Sequence, residues 1–154
     1  MLIEKDYRGK KLTLAYNGLP FSVPKNLYIL GMMNTADRSL ALIDYALRRR
    51  FSFFAMEPGF GSDGFREYME SFDNDTFETL IEKIKDLNFE IAKDPSLGNG
   101  FCIGHSYFCN IDAVSDAVLS NIVEYELVPL LKEYWFDEQE KVEYWSERLR
   151  SVIE

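Results

Sequence analysis

The run Gly31-Met32-Met33-Asn34-Thr35-Ala36-Asp37-Arg38-Ser39, followed by Leu47-Arg48-Arg49-Arg50-Phe51, constrains this chain more than any other feature. Asn26 to Met33 (NLYILGMM) is a continuous apolar run between Pro24 and Asn34. Such a run suits a strand covered on both faces, as in a parallel sheet. Leu40 to Arg50 reads as a short helix, with Asp37 and Ser39 both able to cap its N-terminus. Phe51 to Met56 (FSFFAM) reads as a second buried strand. Strand, helix, strand in so short a span is the βαβ pattern. It sets a polar, charged turn directly after a buried strand, which suits sensing a phosphate, and the arginines at the helix end suit reaching toward one. The part that would cradle the phosphates is missing, because no GxxxxGK[ST] loop occurs in the 154 residues.

Upstream, Leu12 to Tyr16 reads as a short strand and Asn17-Gly18-Leu19-Pro20 as a turn. Residues 1–56 are therefore expected to be α/β, but a doubly covered sheet needs more strands and helices than they supply. The missing elements are expected upstream of Met1. An incomplete sheet exposes apolar faces and an unpaired edge, so self-association is expected.

Charge changes along the chain. Residues 1–56 carry nine Lys or Arg against four Asp or Glu, a balance of +5, whereas residues 57–154 carry eight against twenty-two, a balance of −14. The acidic part is unsuited to gripping DNA, which needs clustered Lys and Arg. Glu57 to Gly64 (EPGFGSDG) reads as a linker, and residues 65–154 as an all-α lobe. Phe77, Leu80, Ile81, Ile84, Leu87 and Ile91 follow the spacing of a buried helix face, opened by a capping box of Asp75 and Glu78. Pro95 to Gly100 breaks that helix. A second helix is expected from Asp112 to about Leu127, with Pro129 starting a new turn as its first residue. A last helix carries Val142, Trp145, Leu149 and Val152 on one stripe, with Asp137 and Glu140 at its start.

Several classes are excluded. No apolar run approaches the roughly 18–20 residues of a membrane span, and the charged N-terminus MLIEKDYRGKK lacks a signal-peptide core, so a cytoplasmic protein is expected. Cys102 and Cys109 form no CxxC pair and the chain holds one histidine, so no metal site is expected and the cysteines read as ordinary thiols.

The segment GMMNTADRSLALIDYALRRRFSFF resembles the signature of the GTPase subunit of McrBC-type, modification-dependent (5-methylcytosine) restriction systems, members of the AAA+ superfamily. Phe21 to Tyr28 leads into it as in that family, Gly98 to Phe108 (GNGFCIGHSYF) resembles a second family block, and Pro129 to Trp135 a third. The resemblance covers nearly the whole chain. Two departures stand out: Met32 replaces a threonine usual in the family, and the Walker A loop and acidic Walker B strand are absent. The resemblance implies the C-terminal part of an AAA+ core, strands with a crossover helix (residues 1–56), followed by a helical lid domain.

It also implies roles. Asn34 resembles the sensor 1 position, where an amide donates to a γ-phosphate oxygen and accepts from the attacking water; a turn asparagine is the plainer alternative. Asp37 would orient that water or accept an arginine from a neighbouring subunit, and can equally cap a helix. Consecutive helical residues diverge by about 100°, so at most one or two of Arg48, Arg49 and Arg50 can face one site. The resemblance favours Arg49 and Arg50 as arginines acting across a subunit boundary, and leaves Arg48 at the helix C-terminus. In AAA+ proteins the lid closes over nucleotide, so His105 and Ser106 become candidate nucleotide contacts; a packed, hydrogen-bonded histidine is the alternative. Gly98, Gly100 and Gly104 signal an unusual backbone path around them, while Tyr107, Phe108, Trp135 and Trp145 read as core.

The resulting expectation is a fragment of a GTPase, inactive alone, that works with GTP and Mg2+ in the complete protein, in a ring of AAA+ subunits beside a separate nuclease subunit. No base-selective motif separates GTP from ATP, so GTP rests on the resemblance. The competing reading is a non-catalytic interaction module that docks on a complete AAA+ ring.

Overall fold

The computed structural model describes residues 2–34, 36 and 45–153. Its contacts divide the chain after Phe54, two residues before the break in charge, into a first unit ending at Phe54 and a second beginning at Ala55.

In the first unit, β1 (Leu12–Thr13) and β2 (Pro20–Phe21) pair antiparallel, Leu12 opposite Phe21 and Thr13 opposite Pro20. The turn at Asn17 and Gly18 is as expected. Gly18 takes φ +69, and the Asn17 side chain accepts from the Leu19 N–H at 3.0 Å. The strand expected over Leu12 to Tyr16 stops after two residues, since β2 offers only two partners. α1 (Tyr45–Arg48) is the described part of the helix expected over Leu40 to Arg50. Val23 is buried, and Arg8 ties the unit together by donating to the carbonyls of Ile3 at 3.0 Å and Leu27 at 2.8 Å.

The parallel sheet is not formed among the described residues. Asn26 to Asn34 and Ser52 to Pro58 take no strand pairing, and Tyr28, Leu30, Met32 and Phe54 are all at least 89% exposed. The physical reason is pairing: an interior strand needs hydrogen-bonded neighbours at both edges and cover on both faces. The described residues provide one two-residue hairpin. The expected βαβ pairing is therefore not seen among the described residues.

The second unit is helical. It contains α2 (Asp63–Glu70), α3 (Asp75–Lys93), α4 (Asp116–Ile122), a π-turn (Val123–Leu127), α5 (Val128–Tyr134) and α6 (Gln139–Arg150). All six apolar residues foreseen on α3 are buried and fill the core with Phe108, Leu119, Leu127, Leu131, Trp135 and Leu149. Tyr107 is half-buried and Trp145 buried. The cap of α3 is Asn74, whose side chain accepts from the Phe77 N–H at 2.8 Å. Asp75 and Glu78 instead lie in the first turn, where carboxylates meet the positive end of the helix dipole. α4 starts at Asp116 rather than Asp112, because Ser115 caps it by accepting from the Val118 N–H.

Pro129 does not open a separate helix. α4, the π-turn and α5 run on without a break, and the Val128 N–H bonds back five residues to the Val123 carbonyl. The wide turn accommodates a residue that has no N–H to give and whose ring would clash in a regular α-turn. No described helix is long and apolar enough to cross a membrane.

Asp94 ties three elements together. Beyond the last turn of α3 its carboxylate accepts from the Trp135 indole N–H at 2.7 Å and from Lys141 Nζ at 2.8 Å, while its other oxygen accepts from the Ser96 N–H at 2.8 Å. Lys141 also stands 4.3 Å from the Trp135 ring centre. A bidentate pair between Arg150 and Glu124 fastens the end of α6 to the π-turn.

Candidate functional site

The residues singled out in the sequence fall into two groups, one per unit. In the first, Asn34 ends the apolar run and is exposed. Its Oδ1 accepts from the Ala36 N–H at 3.0 Å, an Asx turn. With that oxygen holding the turn, the amide NH2 is the donor Asn34 has to offer an anion. Asp37 lies outside the described residues.

The arginines diverge: Arg48 closes α1, and Arg49 and Arg50 follow it in a turn. Arg48 lies over the Phe53 ring at 5.6 Å, and Arg49 is exposed. Arg50 donates to Glu4 at 2.7 Å and to the Ala46 carbonyl at 2.6 Å. That pairing holds the Glu4 carboxyl below its ordinary range. To reach an anion through Nε, Arg50 would have to release Glu4.

In the second unit, His105 and Ser106 open a short 3-10 turn, His105–Phe108. Ser106 is exposed and His105 half-buried. The Gly59 N–H donates to His105 Nδ1 at 3.0 Å, so Nδ1 is an acceptor and the ring proton of the neutral imidazole sits on Nε2. The ring stands edge-on to Phe60 and Phe65. Gly59 is part of the segment read as a linker, yet residues 59–61 form a 3-10 turn with Phe60 buried, and α2 follows directly.

Asn88 on α3 holds the backbone leading to His105. Its Oδ1 accepts from the Ile103 N–H at 2.6 Å and its Nδ2 donates to the Ile103 carbonyl at 2.9 Å, as a strand partner would. Cys109 Sγ donates to the His105 carbonyl at 3.4 Å, and burial pushes the Cys102 thiol up. Of the three glycines noted here, only Gly98 takes a positive φ, +82. Sequence reasoning missed Asn88 and Gly59, since nothing local marks partners 15 and 46 positions away.

A further feature unmarked in the sequence is an open groove of about 450 Å³ between α3 and α6. Phe89 and Tyr144 line it, with Arg148 donating to the Tyr144 hydroxyl at 2.8 Å and to Asp86 at 3.4 Å. Among the described residues, no group of three or more His, Cys, Asp or Glu side chains is arranged to hold a metal ion.

Comparison with known proteins places this architecture. Residues 79–143 match the family described as McrB, alpha-helical lid domain. The chain is 47% identical over 161 aligned positions to the type IV methyl-directed restriction enzyme EcoKMcrB subunit of Escherichia coli (strain K12). The match takes in 97% of this chain and 35% of that protein, so the chain spans about a third of its relative's length. The resemblance read from the signature segment is borne out, and the helical unit is where the lid family falls.

Proposed function

We propose that this chain, which carries the McrB lid domain and is related to an McrB subunit over 97% of its length, supplies the sensor 1, arginine and lid portion of a GTP-hydrolysing AAA+ motor. The observation that carries the proposal is the lid match over residues 79–143, joined in one chain to the NTADRS and RRRF segments. The exposed apolar run from Tyr28 to Met33 supports it, because an interior strand deprived of its sheet presents such a surface.

In this reading the Asn34 amide donates to the γ-phosphate of GTP and Asp37 orients the attacking water. Arg49 or Arg50 crosses to the nucleotide of the next subunit, where such an arginine is worth about 10³–10⁵ in rate. GTP and Mg2+ are held mainly by P-loop and Walker B elements that these residues do not contain, and the lid, with His105 and Ser106 near the nucleotide, closes over them. Bound Mg2+ would neutralise charge developing on the transferred phosphoryl group. The nuclease is a separate partner subunit, and DNA is read elsewhere, since residues 57–154 carry −14.

The test is complementation. The chain alone is expected to show no GTP turnover, and mixing it with a separately produced P-loop half should restore hydrolysis. Asn34→Ala should lower the restored rate at least about a hundredfold, in line with loss of a group that stabilises transition-state charge. Turnover by the chain alone would overturn the fragment reading, and none after mixing at high concentration would favour the interaction module.

A further inference from the structure

We infer that His105 is a positioning residue: it fixes Gly59 to the helical unit and so confines the hinge of the lid to residues 55–58. The word hinge rests on the lid reading above, whereas the fixing of Gly59 does not. The helical unit begins at Ala55, and residues 55–58 take no helix or strand, with Ala55, Met56 and Glu57 exposed. At Gly59 the chain is captured. Its N–H bonds to His105 Nδ1 at 3.0 Å, and its carbonyl accepts from the Ser62 N–H at 3.0 Å and Ser62 Oγ at 2.8 Å. Ser62 in turn caps α2 by accepting from the Phe65 N–H at 3.3 Å.

His105 can serve as an anchor because it is itself held. Its ring sits against Phe60 and Phe65, and its backbone segment is clamped to mid-α3 by the two Asn88 bonds to Ile103. A continuous line of contacts thus runs from α3 through Ile103 and His105 to Gly59. The fit is close: a Cβ at Gly59 would lie 3.0 Å from His105 Cε1 and 3.2 Å from Nε2, so any side chain there requires the imidazole to give by a few tenths of an ångström. Motion of the lid is then absorbed by the few backbone torsions ahead of Gly59, as hinges generally absorb it.

Amide exchange and nitrogen NMR on the 154-residue chain test this without nucleotide. The Gly59 amide should exchange at least about tenfold more slowly than those of residues 55–57, and His105 should be the Nε2–H tautomer. His105→Ala should raise exchange at Gly59 and Ser62 at least about tenfold while leaving α3 unchanged. His105→Asn, whose Oδ1 stands where Nδ1 stood, should restore the protection. An Nδ1–H tautomer, or Gly59 protection unchanged in His105→Ala, would overturn the proposal. If the alanine variant does not fold, the tautomer and the wild-type exchange pattern decide. None of these readouts depends on GTP hydrolysis, so failure of complementation and failure of the anchor remain distinguishable.

Discussion

At the scale of single residues, Asp94 carries the largest electrostatic consequence. Hydrogen bonds from Lys141, Ser96 and Trp135 hold its carboxyl well below the usual carboxylate range, against the opposing effect of burial. Its side chain is 6% exposed, so solvent screens these bonds little. A carboxyl depressed in the folded state adds stability that is fully present above the unfolded value, about 3.9. That stability is lost as pH falls below this value toward the folded one. Asp94→Asn should therefore cost about 2 kcal/mol at pH 7, the scale of a hydrogen bond to a charged group. The gap from wild type should narrow steadily as pH falls below about 4. Urea unfolding of both proteins at pH 7 and pH 3 checks it, and an undiminished gap at pH 3 would refute the assignment. Tyr134 sets the opposite limit. Burial pushes its hydroxyl up to about 12, so the unfolded chain ionises first and stability should decline as pH rises from about 10. Neither effect was legible in the sequence, since Asp94 meets Trp135 and Lys141 across 41 and 47 positions. Asn34 and the arginines could be singled out as candidates because a contiguous motif carries them.

At the scale of elements, what could be read depended on period. Phe77, Leu80, Ile81, Ile84, Leu87 and Ile91 repeat at the helical period along α3, and all six are buried as foreseen. The following helical run does not. Leu119, Val123, Leu127, Leu131 and Trp135 are spaced four apart and all buried. In a regular α-helix each step of four drifts by about 40°, so the fifth residue would face roughly 160° away from the first. The π-turn at Val123–Leu127 takes up part of this drift and keeps the series on the core. On this argument the apolar spacing imposes the wide turn, and exposed Pro129 only tolerates it. Pro129→Ala should then change stability by no more than about 0.5 kcal/mol, as an ordinary surface substitution does. The wide turn should persist in the variant's structure. A gain of several kcal/mol with a straightened helix would show that the proline imposes the turn. The expected strands stand unpaired among the described residues for a complementary reason. Periodicity reports which residues want burial, but not whether a partner strand is there to pair with NLYILGMM.

At the scale of the whole molecule, the two units differ in how far each satisfies itself. The core runs from Phe60 to Leu149, wholly within the second unit, whereas Val23 is the buried hydrophobic residue described in the first. Hydrophobic burial is the main favourable term in folding, so residues 55–154 hold what is needed to fold alone. The first unit depends on covering its apolar run. Made separately, residues 55–154 should give a cooperative thermal transition within about 5 °C of the helical transition of the full chain, equivalent to a change of about 1 kcal/mol. Circular dichroism of both proteins measures this directly. A fragment that melts much earlier would mean that residues 1–54 stabilise the lid. A coincident transition would mean that the helical unit folds independently of residues 1–54. On the proposed function, adding a separately produced P-loop half should slow amide exchange over residues 26–34 while leaving α3 as it was.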